Sequence, residues 1–284
     1  MNPVVTVIAP GMMGAAVGKR LVDHGVKVLT SLKGRSAETA ERASATGMIS
    51  VEDEEIAGSD FILSILPPGD AVSLAQRFAP TLTASNSKPV FVDCNAVSPR
   101  TVDRIAAVIA PTGSSFVDAG IIGAPPRPND AGPRFYASGP QAPRFASLRE
   151  FGLDVRVLDG PMSAASAMKM SYAGITKGTQ ALAAAMLLAA TRGGTADNLL
   201  AELQGSQPHI LAWLKRNLSL MPPKAYRWVA EMHEIADFVG DDASAHEMYA
   251  GAAHFYEQIA RDFAADKSQV SALQDFLRKG DGGS

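Results

Sequence analysis

The sequence predicts an α/β fold: a doubly wound, mostly parallel sheet of the Rossmann type, followed by an all-α C-terminal domain joined by one long interdomain helix. Three observations carry this. Over residues 1–160, apolar β-branched runs alternate with amphipathic stretches, the pattern of strands linked by crossover helices. The first run, Val4-Val5-Thr6-Val7-Ile8, breaks at a turn holding Gly11 and Gly14 and passes directly into a helical pattern. From Met162 onward no strand pattern recurs, and Ala-rich runs such as Leu182 to Ala190 dominate. The domains therefore read as 1–160 and 161–284.

Taken in order, strands are expected at 4–8, 27–30, 61–66, 90–93 and 116–118. Helices are expected at 13–24, 36–46, 70–79 and 99–109. Strands at 135–138 and 155–158 flank a helix at 142–151 and extend the sheet. A helix over 163–192 would be roughly 45 Å long at its usual rise per residue. Gly174 and Gly178 weaken it, and two shorter helices with a kink near Gly174 are the alternative. Gly193-Gly194 ends the element, and the tail 280–284 is expected to be disordered.

Composition excludes several functions. A chain of 284 residues, 46% hydrophobic, can bury the cores of two domains. A net charge of −3 gives no general basic field for nucleic acid. No apolar run is long enough to cross a membrane. The chain enters a strand at once, without a charged lead and cleavable apolar core, so no secretory signal is expected. The single cysteine, Cys94, excludes an intrachain disulfide framework and fits a reducing cytoplasm. At the end of a strand it reads as a small buried hydrophobe rather than a nucleophile. No His/Cys/Asp grouping has metal-ligand spacing, and no nucleophile turn is present.

The opening turn carries the first chemistry. In Ala9-Pro10-Gly11-Met12-Met13-Gly14, Gly11 lets the backbone approach a pyrophosphate, and Gly14 lets the helix pack on the strand. Met12 and Met13 stand at the entry to the helix expected from 13, whose free N–H groups and positive dipole end favour an anion. The usual first glycine is Ala9, which can stand there only with a negative φ. An acid at the end of the second strand would take the adenine ribose hydroxyls, but Thr30-Ser31-Leu32-Lys33-Gly34-Arg35-Ser36 contains none. Arg35 can pair with a 2′-phosphate, with Ser31, Lys33 and Ser36 as further donors. NADP(H) is therefore expected rather than NAD(H). Leu66-Pro67, at the end of the strand over 61–66, can wall the cofactor, and Asn95 can hydrogen-bond its ribose or nicotinamide side.

These segments together resemble the β-hydroxyacid dehydrogenase family, within the 6-phosphogluconate dehydrogenase superfamily. The likeness covers nearly the whole chain. It rests on the opening turn, the Leu66-Pro67 turn, Asn95 to Pro99, Asp118-Ala119-Gly120-Ile121-Ile122-Gly123, and Lys169 early in the long helix. The second half resembles a divergent branch with a 6-phosphogluconate-dehydrogenase-like C-terminal domain, marked by Lys169-Met170-Ser171-Tyr172-Ala173-Gly174 and Arg227 to Ile235. The resemblance implies that Lys169 sits beside the substrate oxygen and relays the proton during hydride transfer. The family's asparagines on the next turn are replaced by Tyr172 and Ala173, and Tyr172 shares a helix face with Lys169. The family's substrate-binding serine falls at Ile121, so Gly120, Ile121 and Ile122 imply a more apolar or bulkier substrate. The family's second lysine aligns with His233, which can bind an anion or act near neutral pH.

The expected function is an NADP-dependent oxidoreductase interconverting a hydroxy acid-like alcohol and a carbonyl. Imine reduction on the same fold and a non-catalytic dinucleotide-binding protein are the alternatives. The family resemblance and the Ala-rich helical domain imply a homodimer.

Overall fold

The computed structural model describes residues 2–127 and 130–279, and the tail 280–284 lies outside them. The chain divides into two compact units, 1–170 and 171–284, with the division inside one long helix.

In the first unit eight strands form one sheet. They are β1 (Val4–Ile8), β2 (Lys27–Thr30), β3 (Ile49–Ser50), β4 (Phe61–Ser64), β5 (Val90–Asp93), β6 (Ser115–Ile122), β7 (Arg134–Ser138) and β8 (Asp154–Val157). Their spatial order is β3-β2-β1-β4-β5-β6-β7-β8. Every pair is parallel except β6 with β7. The order reverses between β1 and β4, and a crevice at such a reversal is where open α/β sheets hold ligands.

Helices on both faces explain why the strands read as apolar runs. Five of the helices are α1 (Met12–Asp23), α2 (Ala37–Ala45), α3 (Asp53–Ile56), α4 (Ala71–Ala84) and α5 (Pro99–Ile109), and α6 (Ala142–Phe145) continues as a 3-10 turn to Phe151. One face buries Val5, Val7, Leu63, Val92, Val117 and Ala119 with Leu21 and Phe145. The other buries Ile8, Ile62, Phe91 and Phe116 with Phe78, Leu82 and Ile105. The expected elements are present with small shifts at their ends. The short β3 and α3 were not foreseen. Helix α4 runs past its expected end at 79, through Pro80. A proline inside a helix forfeits one backbone hydrogen bond, but Phe78 and Leu82 on either side are fully buried and hold the last turn against the sheet.

The helix α7 (Ala164–Arg192) is continuous, so the alternative of two shorter helices does not occur. In the second unit, which begins at Ser171, its two glycines have a packing reason: a Cβ at Gly174 would lie 2.9 Å from the Tyr249 hydroxyl, and one at Gly178 3.1 Å from the Tyr249 ring. The rest of this unit is α8 (Ala196–Ser206), α9 (Pro208–Leu218), α10 (Ala225–Phe238), α11 (Ala243–Ala264) and α12 (Ser268–Lys279). Its interior pairs Trp228 edge-on with the fully buried Tyr256, whose hydroxyl donates to the Lys177 carbonyl at 2.6 Å. Lys177 itself forms an ion pair with Glu231. No helix among the described residues is long and apolar enough to cross a membrane.

Candidate active site

The opening turn leaves the start of α1 uncapped by any side chain. Gly11 caps α1 with φ −68° and ψ −171° and offers no side chain to the helix. The first hydrogen bond into the helix runs from the Ala15 amide to the Gly11 carbonyl, which leaves the first-turn amides ahead of it facing outward. A Cβ on Gly11 would meet nothing within 4 Å, whereas one on Gly14 would lie 2.3 Å from the Ala9 carbonyl oxygen. Gly14 is thus the close-packing glycine, and Gly11 keeps open the approach from outside. Among the described residues only Lys267 combines a side chain with positive φ, so Ala9 holds the first-glycine place with the negative φ it requires. The Arg42 guanidinium donates to the Pro10 carbonyl at 3.2 Å and ties the turn to α2. Met12 is 67% exposed, while Met13 packs against the core. These features fit a dinucleotide pyrophosphate.

At the tip of β2 the structure adds two residues the sequence did not reveal. Ser31 is buried, donates to Asp53 Oδ1 at 3.0 Å and accepts from Arg77 Nη2 at 2.7 Å. Arg77 also grips Asp53 twice, through Nε at 2.9 Å and Nη2 at 2.6 Å. Burial disfavours charge on Asp53, but hydrogen bonds from Arg77 and Ser31 outweigh it and hold the carboxyl below the ordinary range. The Ser31 hydroxyl is therefore committed to this pair. Lys33 and Arg35 are exposed on the following turn, and Ser36 caps α2 by accepting from the Thr39 amide at 3.3 Å.

Asn95 is buried and fully engaged within the protein. Its oxygen accepts from the Leu66 amide at 2.5 Å, and its amide donates to Ser64 Oγ at 2.8 Å and to Asp93. It therefore positions the Leu66-Pro67 turn, with Leu66 half-buried and Pro67 exposed.

The register of the sheet brings a polar row together: Ser64 pairs with Asp93, Asp93 with Asp118, and Asp118 with Ser138. All four are fully buried. Asp118 accepts from Ser166 Oγ at 2.6 Å and from the Ser166 amide at 2.8 Å. The Ser138 hydroxyl lies 3.3 Å from Asp118 and 2.8 Å from the Met162 carbonyl, and accepts from the Ala165 amide at 2.9 Å. Side chains of β6 and β7 thus cap the start of α7, and a carboxylate there also meets the positive end of the helix dipole. Burial pushes Asp118 up to about 6, against the hydrogen bonds from Ser166 and Ser138. Burial, and then the charge of Asp118, push Asp93 up to about 8, and Asp93 Oδ2 has no hydrogen-bond partner among the described residues. Both carboxyls are therefore harder to ionise than an ordinary aspartate, Asp93 the more so. Cys94 is buried beside it, and burial followed by the two aspartates raises its thiol well above the usual range. That is the inert packing cysteine expected.

One turn into α7, Lys169 lies against β6. A Cβ on Gly120 would be 2.9 Å from Lys169 Cβ and 3.1 Å from the Ala165 carbonyl. Strand alternation places Gly120 and Ile122 on this face. Ile121, expected at the substrate, is corrected: it turns to the opposite face, is 8% exposed, and joins the core holding Val117, Ala119 and Phe135. Tyr172 follows three residues after Lys169 and is half exposed, while His233 is exposed on α10. Both belong to the second unit. Asp53, Arg77, Asp93, Ser138 and Ser166 were the residues missed, since only strand register and long-range packing make them neighbours.

Comparison with known proteins identifies the lineage. Residues 4–151, just over half of the chain, match the model described as NAD binding domain of 6-phosphogluconate dehydrogenase. The chain belongs to the β-hydroxyacid dehydrogenase family. The family consists of NAD(P)-dependent oxidoreductases, and this chain is one of them. Residues 190–259 match a second model, Domain of unknown function (DUF1932). Mitochondrial 3-hydroxyisobutyrate dehydrogenase of Drosophila melanogaster is 25% identical over 244 residues, 85% of this chain and 70% of that protein. A solved conserved protein described as structurally similar to 3-hydroxyacid dehydrogenases aligns with a TM-score of 0.66 at 29% identity, over 90% of this chain and 98% of its own. An imine reductase variant from Myxococcus stipitatus in complex with NAD+ shares the fold, with a TM-score of 0.60 at 16% identity over 98% of this chain and 100% of its own. The same organism's imine reductase is also solved with NADP+. The matched NAD-binding model makes a nicotinamide dinucleotide the cofactor of the family.

Proposed function

We propose that this protein interconverts an alcohol and a carbonyl compound with NADP(H), with Lys169 as the proton relay. The observation that carries the reading is the seating of Lys169 on Gly120, one turn beyond a helix start that Asp118 and Ser138 hold to the sheet. The bound dinucleotide supplies or accepts a hydride at its nicotinamide ring. In the reducing direction the Lys169 ammonium donates a proton to the carbonyl oxygen as the carbonyl carbon becomes a carbinol. In the oxidising direction the neutral amine takes the hydroxyl proton back. The ammonium also steadies the alkoxide character of the oxygen between these limits. Gly11 and the first amides of α1 hold the pyrophosphate, and Arg35 and Lys33 answer the 2′-phosphate. Tyr172 and His233 are further candidates for the substrate side, through a phenol that can anchor a carbonyl and an imidazole that can bind an anion.

Imine reduction remains the second reading, favoured by the shared fold of the imine reductases. Consumption of NADPH across a panel of keto acids, aldehydes and cyclic imines separates the two. The proposal expects turnover of a carbonyl substrate. Turnover of imines alone, or binding of dinucleotide with no turnover, overturns it.

The active form is proposed to be a homodimer. Tyr172, Ile175, Leu182 and Met186 follow one another along α7 at spacings of three, seven and four residues, and each leaves about half or more of its surface open. A second copy would cover that stripe. Light scattering is expected to give a dimer, and a monomer at micromolar concentration contradicts this.

A further inference from the structure

The segment after β2 lacks the acid that takes adenine ribose hydroxyls in NAD-binding sheets, yet the fold delivers one from elsewhere. Strand β3 runs parallel to β2 and ends level with it, with Thr30 paired to Ser50 and the Val51 amide bonded to the Thr30 carbonyl at 2.9 Å. Helix α3 therefore begins at the β2 tip, and its first residue, Asp53, meets Ser31. Helix α4 brings Arg77 to the same point. Three elements converge at the carboxyl edge of the sheet, where ligands bind.

The charges are arranged in an order that matters. Asp53 is mostly buried, with 13% of its side chain exposed, and both its oxygens are taken by Arg77. Arg77 keeps 28% of its side chain exposed, and its Nη1 makes no hydrogen bond among the described residues. Lys33 lies close enough to act electrostatically on Asp53. A guanidinium held in one orientation by a carboxylate, with a nitrogen to spare, is a preorganised phosphate donor. A bare carboxylate at the same place would instead repel a phosphate and accept from a ribose hydroxyl.

We propose that Arg77, oriented by Asp53 and Ser31, selects the 2′-phosphate of the dinucleotide, and that Asp53 is a masked acid which favours NAD(H) once Arg77 is removed. This rests on the NADP(H) reading above. The test is titration of NADPH and NADH, followed by fluorescence or calorimetry, into the wild type, Arg77→Met, Arg77→Lys, Asp53→Asn, the Arg77→Met/Asp53→Asn double variant, and Arg35→Ala. The wild type is expected to prefer NADPH. Arg77→Met should weaken NADPH roughly ten-fold or more, the size of a lost charge-assisted contact, while leaving NADH within about two-fold. Arg77→Lys should fall between, since it keeps charge without the fork. The double variant should recover part of the NADPH affinity, because the unmasked carboxylate is gone. An equal loss of both dinucleotides in Arg77→Met, an unchanged ratio, or a double variant no better than the single one overturns the proposal. If Arg35→Ala weakens NADPH while Arg77→Met leaves the ratio intact, the inference alone fails. If the wild type prefers NADH, both it and the NADP(H) reading fail.

Discussion

Replacing Gly120 by alanine tests the seat of Lys169 with a single methyl group. No positive φ is involved at Gly120, so the backbone accepts alanine and the effect is steric. The added Cβ would stand 2.9 Å from Lys169 Cβ and 3.1 Å from the Ala165 carbonyl. Ordinary carbon contacts lie near 3.5–4.0 Å, so β6 and α7 must part by roughly 0.6–1 Å. The lysine cannot swing its Cβ aside, and the start of α7 is tied to β6 by Asp118 and to β7 by Ser138. Overpacking of this kind costs about 1–3 kcal/mol. A displacement near 1 Å of a group that must meet the substrate costs about 10²-fold in rate. The assay combines thermal unfolding, dinucleotide titration and turnover. Gly120→Ala should lower the Tm, leave dinucleotide affinity within about two-fold because the opening turn is untouched, and cut kcat by roughly two orders of magnitude. Unchanged kcat and Tm would refute the contact. A loss of dinucleotide binding equal to the loss of kcat would refute the division of labour between Gly120 and Gly11.

Gly11→Ala should behave in the opposite way: its Cβ meets nothing within 4 Å, so stability should change by only about a few tenths of a kcal/mol to 1 kcal/mol, while dinucleotide affinity falls. Gly14→Ala, whose Cβ would press on the Ala9 carbonyl at 2.3 Å, should destabilise the fold itself, measurable by denaturant unfolding. The Asp93 carboxyl is raised from 3.8 to about 8 in the folded protein, so folding takes up a proton between these values and stability is lost as pH rises through that window. Asp93→Asn should therefore gain Tm on the wild type as pH goes from about 5 to 9, and a Tm difference flat over that range would refute the buried neutral acid.

The legible parts of the molecule were those written in local pattern. The β1-turn-α1 unit could be read because strand, turn and helix signals follow one another within 20 residues. The end of α4 was misjudged at Pro80, because local propensity stops there while the burial of Phe78 and Leu82 does not. The residues Ile49 and Ser50 are too few to show a strand period, so α3 and Asp53 lost their address at the tip of β2. The row from Ser64 through Asp93 and Asp118 to Ser138 was invisible for a different reason. Each residue is an ordinary strand position alone, and only the register across four strands lines them up, with Asp118 and Ser138 at the start of α7. Lys169 was found by family resemblance, whereas Ser166, which fixes the turn before it, carried no motif. Ile121 was placed by alignment to a serine, but the pleat sends its side chain to the far face.

The most direct measurement is single-turnover oxidation of NADPH by Lys169→Met, with the carbonyl substrate found in the panel and dinucleotide affinity measured on the same sample. The account predicts full binding of NADPH with hydride transfer slowed about 10²–10⁴-fold, the usual worth of a general acid. A variant that binds NADPH and transfers hydride at the wild-type rate would contradict it.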